Sequence, residues 1–154
     1  MLRFPYTEYL DLRGKPLWMP HIDIEFRHGR NALKIYPALV DTGATYSVLP
    51  SSIAAHLGIK INRAGFASVS TASGDSMIYP ASGPISCVLT DPKTGECVEW
   101  KATLFFSDEL ETALIGHRHF LEKFNVTFKG KEKVIEMEPL FLTSSIGRSK
   151  KKRK

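Results

Sequence analysis

The sequence has few cysteines and no long hydrophobic run. Two cysteines occur in 154 residues, and a chain of this length can bury enough apolar surface to fold without disulfide or metal staples. No stretch approaches the roughly 18 consecutive apolar residues that span a membrane. Charged residues near the N-terminus interrupt any apolar core of a signal peptide. We therefore expect one soluble, cytoplasmic domain with no membrane span.

The two cysteines are not placed to form a disulfide. Cys87 and Cys97 flank a turn signal at residues 91–96. If that turn closes a hairpin, Cys97 lies opposite Thr90 and Cys87 lies opposite Trp100. This register separates the two thiols by three positions, which is too far for a strand-to-strand bridge. We therefore predict two free thiols, each a small packed residue.

The excess of positive over negative charge lies in the C-terminal tail. The chain has 21 Lys+Arg against 16 Asp+Glu, but six of those basic residues lie in residues 148–154, which leaves 15 for the rest. A nearly neutral body lacks the basic face of a folded nucleic-acid binder. We predict an N-terminal segment at 1–20, a domain at 21–142 and a disordered basic tail at 143–154. The tail keeps the chain soluble or contacts nucleic acid and anionic surfaces without sequence preference.

Alternation of apolar and polar residues predicts mostly strands. Pro37 argues against full pairing at its position. Two short helices interrupt the pattern, one that Ser51 or Ser52 caps and Gly58 ends, and one at 117–124. The predicted strands are 21–27, 32–36, 66–72, 77–80, 85–90, 97–106, 126–128 and 134–137. Together they predict an all-β domain.

One acidic residue stands where a buried strand meets a small turn. Asp41 follows the apolar run 38–40 and precedes Thr42 and Gly43. Such a turn presents a carboxylate at the bottom of a site while backbone N–H groups approach it closely. The Thr42 hydroxyl can fix the loop. The simpler alternative is an Asx-turn that only ends a strand.

This segment, from Ala38 to Pro50, resembles the active-site loop of the retropepsin-like aspartic proteases. A second family motif, two apolar residues and Gly before a helix, is similar to Leu114, Ile115 and Gly116 followed by residues 117–124. The resemblance covers about residues 20 to 140. It implies a single-domain retropepsin-like acid-protease barrel with one or two short helices. The family also has a flap, which is a β-hairpin with a glycine at its tip. The resemblance places this flap at Ser73, Gly74, Asp75, Ser76, Met77 and Ile78.

The resemblance implies an aspartic endopeptidase that acts on an extended polypeptide, with no cofactor and no metal. In that family two carboxylates share one proton and activate one water, because close like charges cannot both ionise. The chain has one Asp-Thr-Gly, so the pair requires Asp41 from each subunit of a homodimer. Thr42 and Gly43 would then hold the loop across the dimer axis. Ala44 and Thr45 would line the cleft floor, and the flap would close over the peptide.

Two positions depart from the retroviral members of that family. Those enzymes usually carry an acidic residue after the Ala and an Arg directly after the late Gly. This chain has Thr45 and His117 in those places, with Arg118 one residue further on. The ion pair that steadies the dimer in those enzymes is therefore missing or rebuilt. A catalytically silent peptide-binding or assembly module on the same fold is the alternative function.

Other catalytic motifs are absent or weak. The chain has no GxSxG elbow, no P-loop and no GxGxxG. Asp41, Gly43 and Thr45 match the phosphate loop of actin-like ATPases, but that fold needs two subdomains, which this length hardly allows. His117 and His119 are two residues apart, and on a helix they would point to different sides, which disfavours a zinc site.

Overall fold

Strands dominate the fold, as the alternating pattern predicts. The computed structural model describes residues 1–71 and 74–141, apart from the side chains of residues 35 and 36. Ser73 and the predicted tail at 143–154 lie outside the described residues. The helical elements within the described ranges are α1 (Ser51–Leu57) and two 3₁₀ turns, Arg63–Gly65 and Leu121–Lys123. The strands are β1 (Leu2–Pro5), β2 (Thr7–Leu10), β3 (Pro16–Met19), β4 (His21–His28), β5 (Asn31–Val40), β6 (Val48–Pro50), β7 (Ala67–Thr71), β8 (Gly74–Pro80), β9 (Ile85–Thr90), β10 (Cys97–Ala102), β11 (Phe105–Ser107), β12 (Leu114–Ile115), β13 (Phe124–Lys129) and β14 (Val134–Pro139).

Three sheets share these strands, and the predicted all-β class is confirmed. The large sheet has the order β10-β9-β4-β5-β12-β6-β11-β8-β7. A three-stranded sheet has the order β1-β14-β13, and β2 pairs with β3 alone. The large sheet, the three-stranded sheet and α1 contribute to one hydrophobic core, in which Phe26, Phe106 and Phe120 are fully buried. Strand β5 lies inside the large sheet, so the residue after its C-terminal end is positioned from both sides.

Strand β5 continues through Pro37, but its pairing with β4 is irregular there. Ile22 lies opposite Ala38, whereas Ile24 lies opposite Ile35, so two residues of β5 face a single residue of β4. A β-bulge leaves one residue without ladder hydrogen bonds, and proline is tolerated there because it has no N–H to donate. The predicted loss of full pairing at Pro37 is therefore confirmed, although the strand does not end.

The cysteine hairpin forms in the predicted register. Cys97 lies opposite Thr90, and Trp100 lies opposite Cys87, across β9 and β10. Both cysteines are free. Burial raises the pKa of the Cys87 thiol, as expected for a packed side chain.

The first predicted helix forms, but its cap differs from the prediction. Helix α1 ends at Gly58, which has a left-handed φ of 66°, a conformation that costs glycine little. The N-cap is Pro50 and no side chain caps the helix, so the prediction of a Ser51 or Ser52 cap is wrong. Ser51 begins the helix, and its hydroxyl donates to Asp108 Oδ1 at 2.6 Å instead.

The second predicted helix, at 117–124, is wrong. The segment consists of turns followed by the short 3₁₀ turn at Leu121–Lys123. His119 has a φ of 61°, which an α-helix does not allow. The side chains whose spacing suggested a helix, Phe120, Leu121 and Phe124, are nevertheless buried in the core. The apolar pattern therefore predicts the burial of these side chains correctly, although their backbone is not an α-helix.

Residues 1–20 take part in the sheets. Strand β1 pairs with β14, with Leu2 opposite Met137, and both Leu2 and Phe4 lie in the core. The hairpin formed by β2 and β3 then leads into β4. The first strand is also tied to the β9–β10 turn, because Arg3 N–H donates to the buried Asp91 carboxylate at 2.8 Å.

Candidate active site

Asp41 lies at the end of β5, against the second predicted motif. Strand β12 runs parallel to β5, with Leu114 opposite Leu39 and Ile115 opposite Val40. Asp41 N–H donates to the Ile115 carbonyl at 2.9 Å. The two sequence motifs, which lie more than 70 residues apart in the chain, therefore meet side by side at this end of the sheet.

The Asp41 carboxylate is half-buried and held by the loop after it. Its Oδ1 accepts the Gly43 N–H at 2.9 Å, and the Asp41 carbonyl accepts the Ala44 N–H at 3.2 Å. The first of these contacts is the Asx-turn that the simpler alternative predicts. The same bond also orients the carboxylate. Among the described residues Oδ2 has no hydrogen-bond partner, so it is free to bind a water or a second carboxyl group.

Gly116 lets the two motifs approach each other closely. A Cβ at this position would lie 2.5 Å from the Tyr46 carbonyl oxygen and 2.7 Å from the Ala44 carbonyl oxygen. Both atoms belong to the backbone, so neither can rotate away as a side chain would. The Gly116 N–H donates to the buried Ser47 hydroxyl at 3.1 Å. Only glycine therefore fits this contact without displacing the Asp41 loop.

Backbone hydrogen bonds continue this contact beyond Gly116. His117 N–H donates to the Ala44 carbonyl at 3.0 Å, and Arg118 N–H donates to the Thr45 carbonyl at 2.7 Å. Thr45 and Arg118 are thus neighbours through their backbones. The predicted floor residues Ala44 and Thr45 are accordingly fixed by the strand-like segment after β12.

His117 is a member of this site that the sequence did not predict to contact the Asp41 loop. Its Nε2 lies 2.7 Å from the Thr42 carbonyl oxygen. Because a carbonyl oxygen only accepts, Nε2 must carry the proton. The side chain thus ties the residue after Gly116 to the residue after Asp41. In the sequence, His117 is marked only by its position directly after Gly116. That position does not reveal that its side chain contacts Thr42.

The predicted flap is a hairpin whose arms are β7 and β8. Thr71 lies opposite Gly74, and residues 72 and 73 lie outside the described residues. Next to this pair, the Ser70 hydroxyl donates to Asp75 Oδ1 at 2.9 Å. The base of β8 pairs with β11 in the large sheet. The end of the hairpin formed by Tyr79 and Pro80 is therefore anchored to β11.

The named flap residues differ in exposure. Met77 is 39% exposed, whereas Ile78 is only 1% exposed. The Ser76 hydroxyl donates to Glu109 Oε2 at 2.5 Å. Alternation along β8 thus sends Met77 outward and Ile78 into the protein. Of this pair, only Met77 presents apolar surface to a ligand.

Neither a group of metal-ligating side chains nor a membrane-spanning helix is found in the part of the chain that the structure describes. No group of three or more His, Cys, Asp or Glu side chains among residues 1–71 and 74–141 is placed to hold a metal ion. In those same ranges no helix is long and apolar enough to cross a membrane.

Comparison with known proteins identifies one family. The family described as gag-polyprotein putative aspartyl protease matches residues 31–121, which is more than half of the chain. Among solved structures, the chain is similar to EIAV protease complexed with the inhibitor HBY-793, at 19% sequence identity and a TM-score of 0.43. That match covers 64% of this chain and 82% of that chain. No curated protein matches the sequence. The family match includes Asp41, the flap hairpin and Gly116.

Proposed function

Because the chain belongs to the family of gag-polyprotein aspartyl proteases, we propose that it is an aspartic endopeptidase that acts as a homodimer. The observation that carries the proposal is the Asp41 carboxylate at the end of β5. One oxygen is fixed by the Gly43 N–H, and the other has no partner among the described residues. The close backbone contact between Gly116 and residues 44 and 46 holds the loop that follows this carboxylate.

The homodimer follows from the number of catalytic carboxylates. The sequence contains one Asp-Thr-Gly, and the chemistry needs two carboxylates that share one proton. A twofold axis beside the loop supplies the second Asp41. Thr42 and Gly43 are exposed, and the Thr42 hydroxyl has no partner among residues 1–71 and 74–141. Both properties support a role for these two residues in holding the loop across the axis.

In the dimer, the two Asp41 carboxyl groups divide the acid and base roles. Like charges in contact cannot both ionise, so one group is ionised and the other is protonated. The ionised group takes a proton from a water, whose oxygen attacks the carbonyl carbon of the peptide bond. The protonated group hydrogen-bonds the carbonyl oxygen as negative charge develops there. Protonation of the amide nitrogen then breaks the C–N bond and releases a carboxylic acid and an amine.

The substrate of this reaction is an extended polypeptide. An extended peptide can pair with the flap hairpin on one side and with the floor at Ala44 and Thr45 on the other. Backbone hydrogen bonds would supply most of the affinity, and side-chain pockets would supply the specificity. Met77 offers apolar surface on the flap side.

The test is cleavage of a peptide library, read by mass spectrometry from pH 4 to 7. The proteins are wild type, Asp41→Asn, and Glu132→Gln as a matched acid-to-amide control in an exposed turn. We expect cleavage by wild type and by Glu132→Gln and none by Asp41→Asn. Sedimentation of each protein at the assay concentration measures the dimer independently.

Two results would contradict the proposal. If wild type remains monomeric at high concentration throughout this pH range, the shared carboxylate pair cannot form. If wild type is dimeric and cleaves nothing, the silent peptide-binding or assembly module becomes the favoured function. That second outcome predicts that Asp41→Asn still binds the same peptides as wild type.

A further inference from the structure

A pocket of the N-terminal hairpin opens on the same sheet face as Asp41. Along β5, Ala38 and Val40 are buried in the core, whereas Leu39 and Asp41 are half-buried. Because side chains alternate along a strand, Leu39 and Asp41 share the face that points away from the core. This face is the one a substrate must contact to reach the carboxylate.

Residues of the two neighbouring strands, β4 and β12, continue this face of the sheet on either side of β5. His21 on β4 and Leu114 on β12 both lie directly opposite Leu39. Directly paired residues project from the same face of a sheet, so the three side chains form one row. That row lies two residues from Asp41, or about 7 Å along the strand, and the row at Pro37 lies about 14 Å away.

The N-terminal hairpin covers the far end of this face. A cavity of about 450 Å³ lies between the hairpin and the sheet. The hairpin contributes Tyr9, Leu17 and Met19, and the sheet side contributes His21, Pro37 and Thr112. Leu17 is 45% exposed, so apolar surface is available at the rim.

The lining of this cavity is uncharged. It contains no Asp, Glu, Lys or Arg side chain. Burial lowers the pKa of His21, whose ring also contacts the Tyr9 ring at 5.1 Å between centroids. Burial thus favours the neutral form of the imidazole. Because no Asp, Glu, Lys or Arg side chain lines the pocket, it favours an apolar side chain over a charged one.

We propose that the β2–β3 hairpin is a specificity element of the peptidase, and that its pocket binds a large apolar side chain of the substrate. This inference rests on the proposed function. An extended peptide advances about 3.3 Å per residue, so distances of about 7 to 14 Å place the side chain two to four residues from the cleaved bond. Since each subunit of a homodimer carries one pocket, the preference appears on both sides of that bond.

The test compares variants of the hairpin on matched peptides. Leu17→Ala widens the pocket, and Thr112→Leu narrows it from the opposite wall. Leu12→Ala is the control, because Leu12 is fully exposed in the same hairpin and does not line the cavity. Each protein is assayed for kcat/KM on the best library peptide and on the same peptide with alanine at the predicted position.

Wild type and Leu12→Ala are expected to prefer the apolar peptide, and Leu17→Ala to lose about tenfold of that preference. The alanine peptide should be cleaved equally by wild type and Leu17→Ala, because it leaves the pocket empty. Thr112→Leu should shift the preference toward a smaller apolar side chain. A fold defect in any variant would instead lower cleavage of both peptides together.

Two failures can be told apart. If wild type cleaves peptides but Leu17→Ala and Thr112→Leu keep every positional preference, the pocket inference is wrong and the peptidase stands. If wild type cleaves no peptide, the proposed function fails and the pocket inference fails with it.

Discussion

Replacing Gly116 with alanine is the sharpest test of the contact between the two motifs. The added methyl group would lie 2.5 Å from the Tyr46 carbonyl oxygen and 2.6 Å from the Tyr46 carbonyl carbon. Non-bonded atoms do not approach that closely, so the segment 44–46 and the segment 116–118 must separate. The hydrogen bonds that join those segments lie directly beside the clash.

The expected cost combines overpacking with lost hydrogen bonds. Forcing a methyl group into a packed site costs about 1–3 kcal/mol. The hydrogen bonds from His117 N–H and Arg118 N–H to the loop contribute about 1 kcal/mol each. We therefore expect Gly116→Ala to lower the free energy of unfolding by roughly 3–5 kcal/mol. For a chain of this size, that loss lowers Tm by about 10 °C.

Thermal and urea unfolding of the purified protein measure this change. Gly130→Ala is the matched control, because a Cβ there meets nothing within 4 Å and its φ is not in the left-handed region. It should leave Tm unchanged or raise it slightly by restricting the unfolded chain. If Gly116→Ala unfolds within about 0.5 kcal/mol of wild type, the two motifs do not pack as described.

Two further predictions concern buried titratable groups. Burial raises the pKa of Asp91, but the N–H groups of Thr94 and Arg3 help to hold that pKa below the usual 3.8. The ionised Asp91 carboxylate therefore stabilises the folded protein above that pH, and this stabilisation is lost as the pH falls below it. Urea midpoints at pH 6 and pH 3 should drop less for Asp91→Asn than for wild type, and equal drops would refute this role. For the cysteines, a maleimide at pH 8 should label the half-buried Cys97 and spare Cys87 until the protein unfolds, and mass spectrometry that finds two labels on the native protein would contradict the described burial.

The features predicted correctly from sequence depend on local signals. The register of the cysteine hairpin follows from one turn signal and the two-residue period of its strands, and both lie within about 15 residues. The apolar run before Asp41 predicts a buried strand end, and this run is the end of β5. The pairing of this strand with Leu114 and Ile115 was not predicted, because spacing within one chain does not report a parallel contact over more than 70 residues.

The features that were missed depend on distant partners. Strand β1 gains its place by pairing Leu2 with Met137, a partner that no local pattern near the N-terminus reveals. The false helix at 117–124 arose because Phe120 and Phe124 have helical spacing. The backbone leaves the helical region at His119, whose φ is 61°, so an α-helix does not continue through this segment. Tertiary contacts thus overrode local periodicity.

The same contacts explain how the loop is stabilised without an ion pair between positions 45 and 117. Thr45 accepts a backbone hydrogen bond from Arg118, and His117 donates from its ring to the Thr42 carbonyl. In each of these hydrogen bonds the acceptor is an uncharged backbone carbonyl of the same subunit. Neither bond therefore needs a charged partner, and salt weakens them little. With Thr45 and His117 in these places, the loop lacks the two charged side chains that could contact a second copy or the substrate backbone. In the proposed homodimer, an ion pair between these two positions therefore cannot contribute to association, and contacts elsewhere on the subunit must supply that free energy.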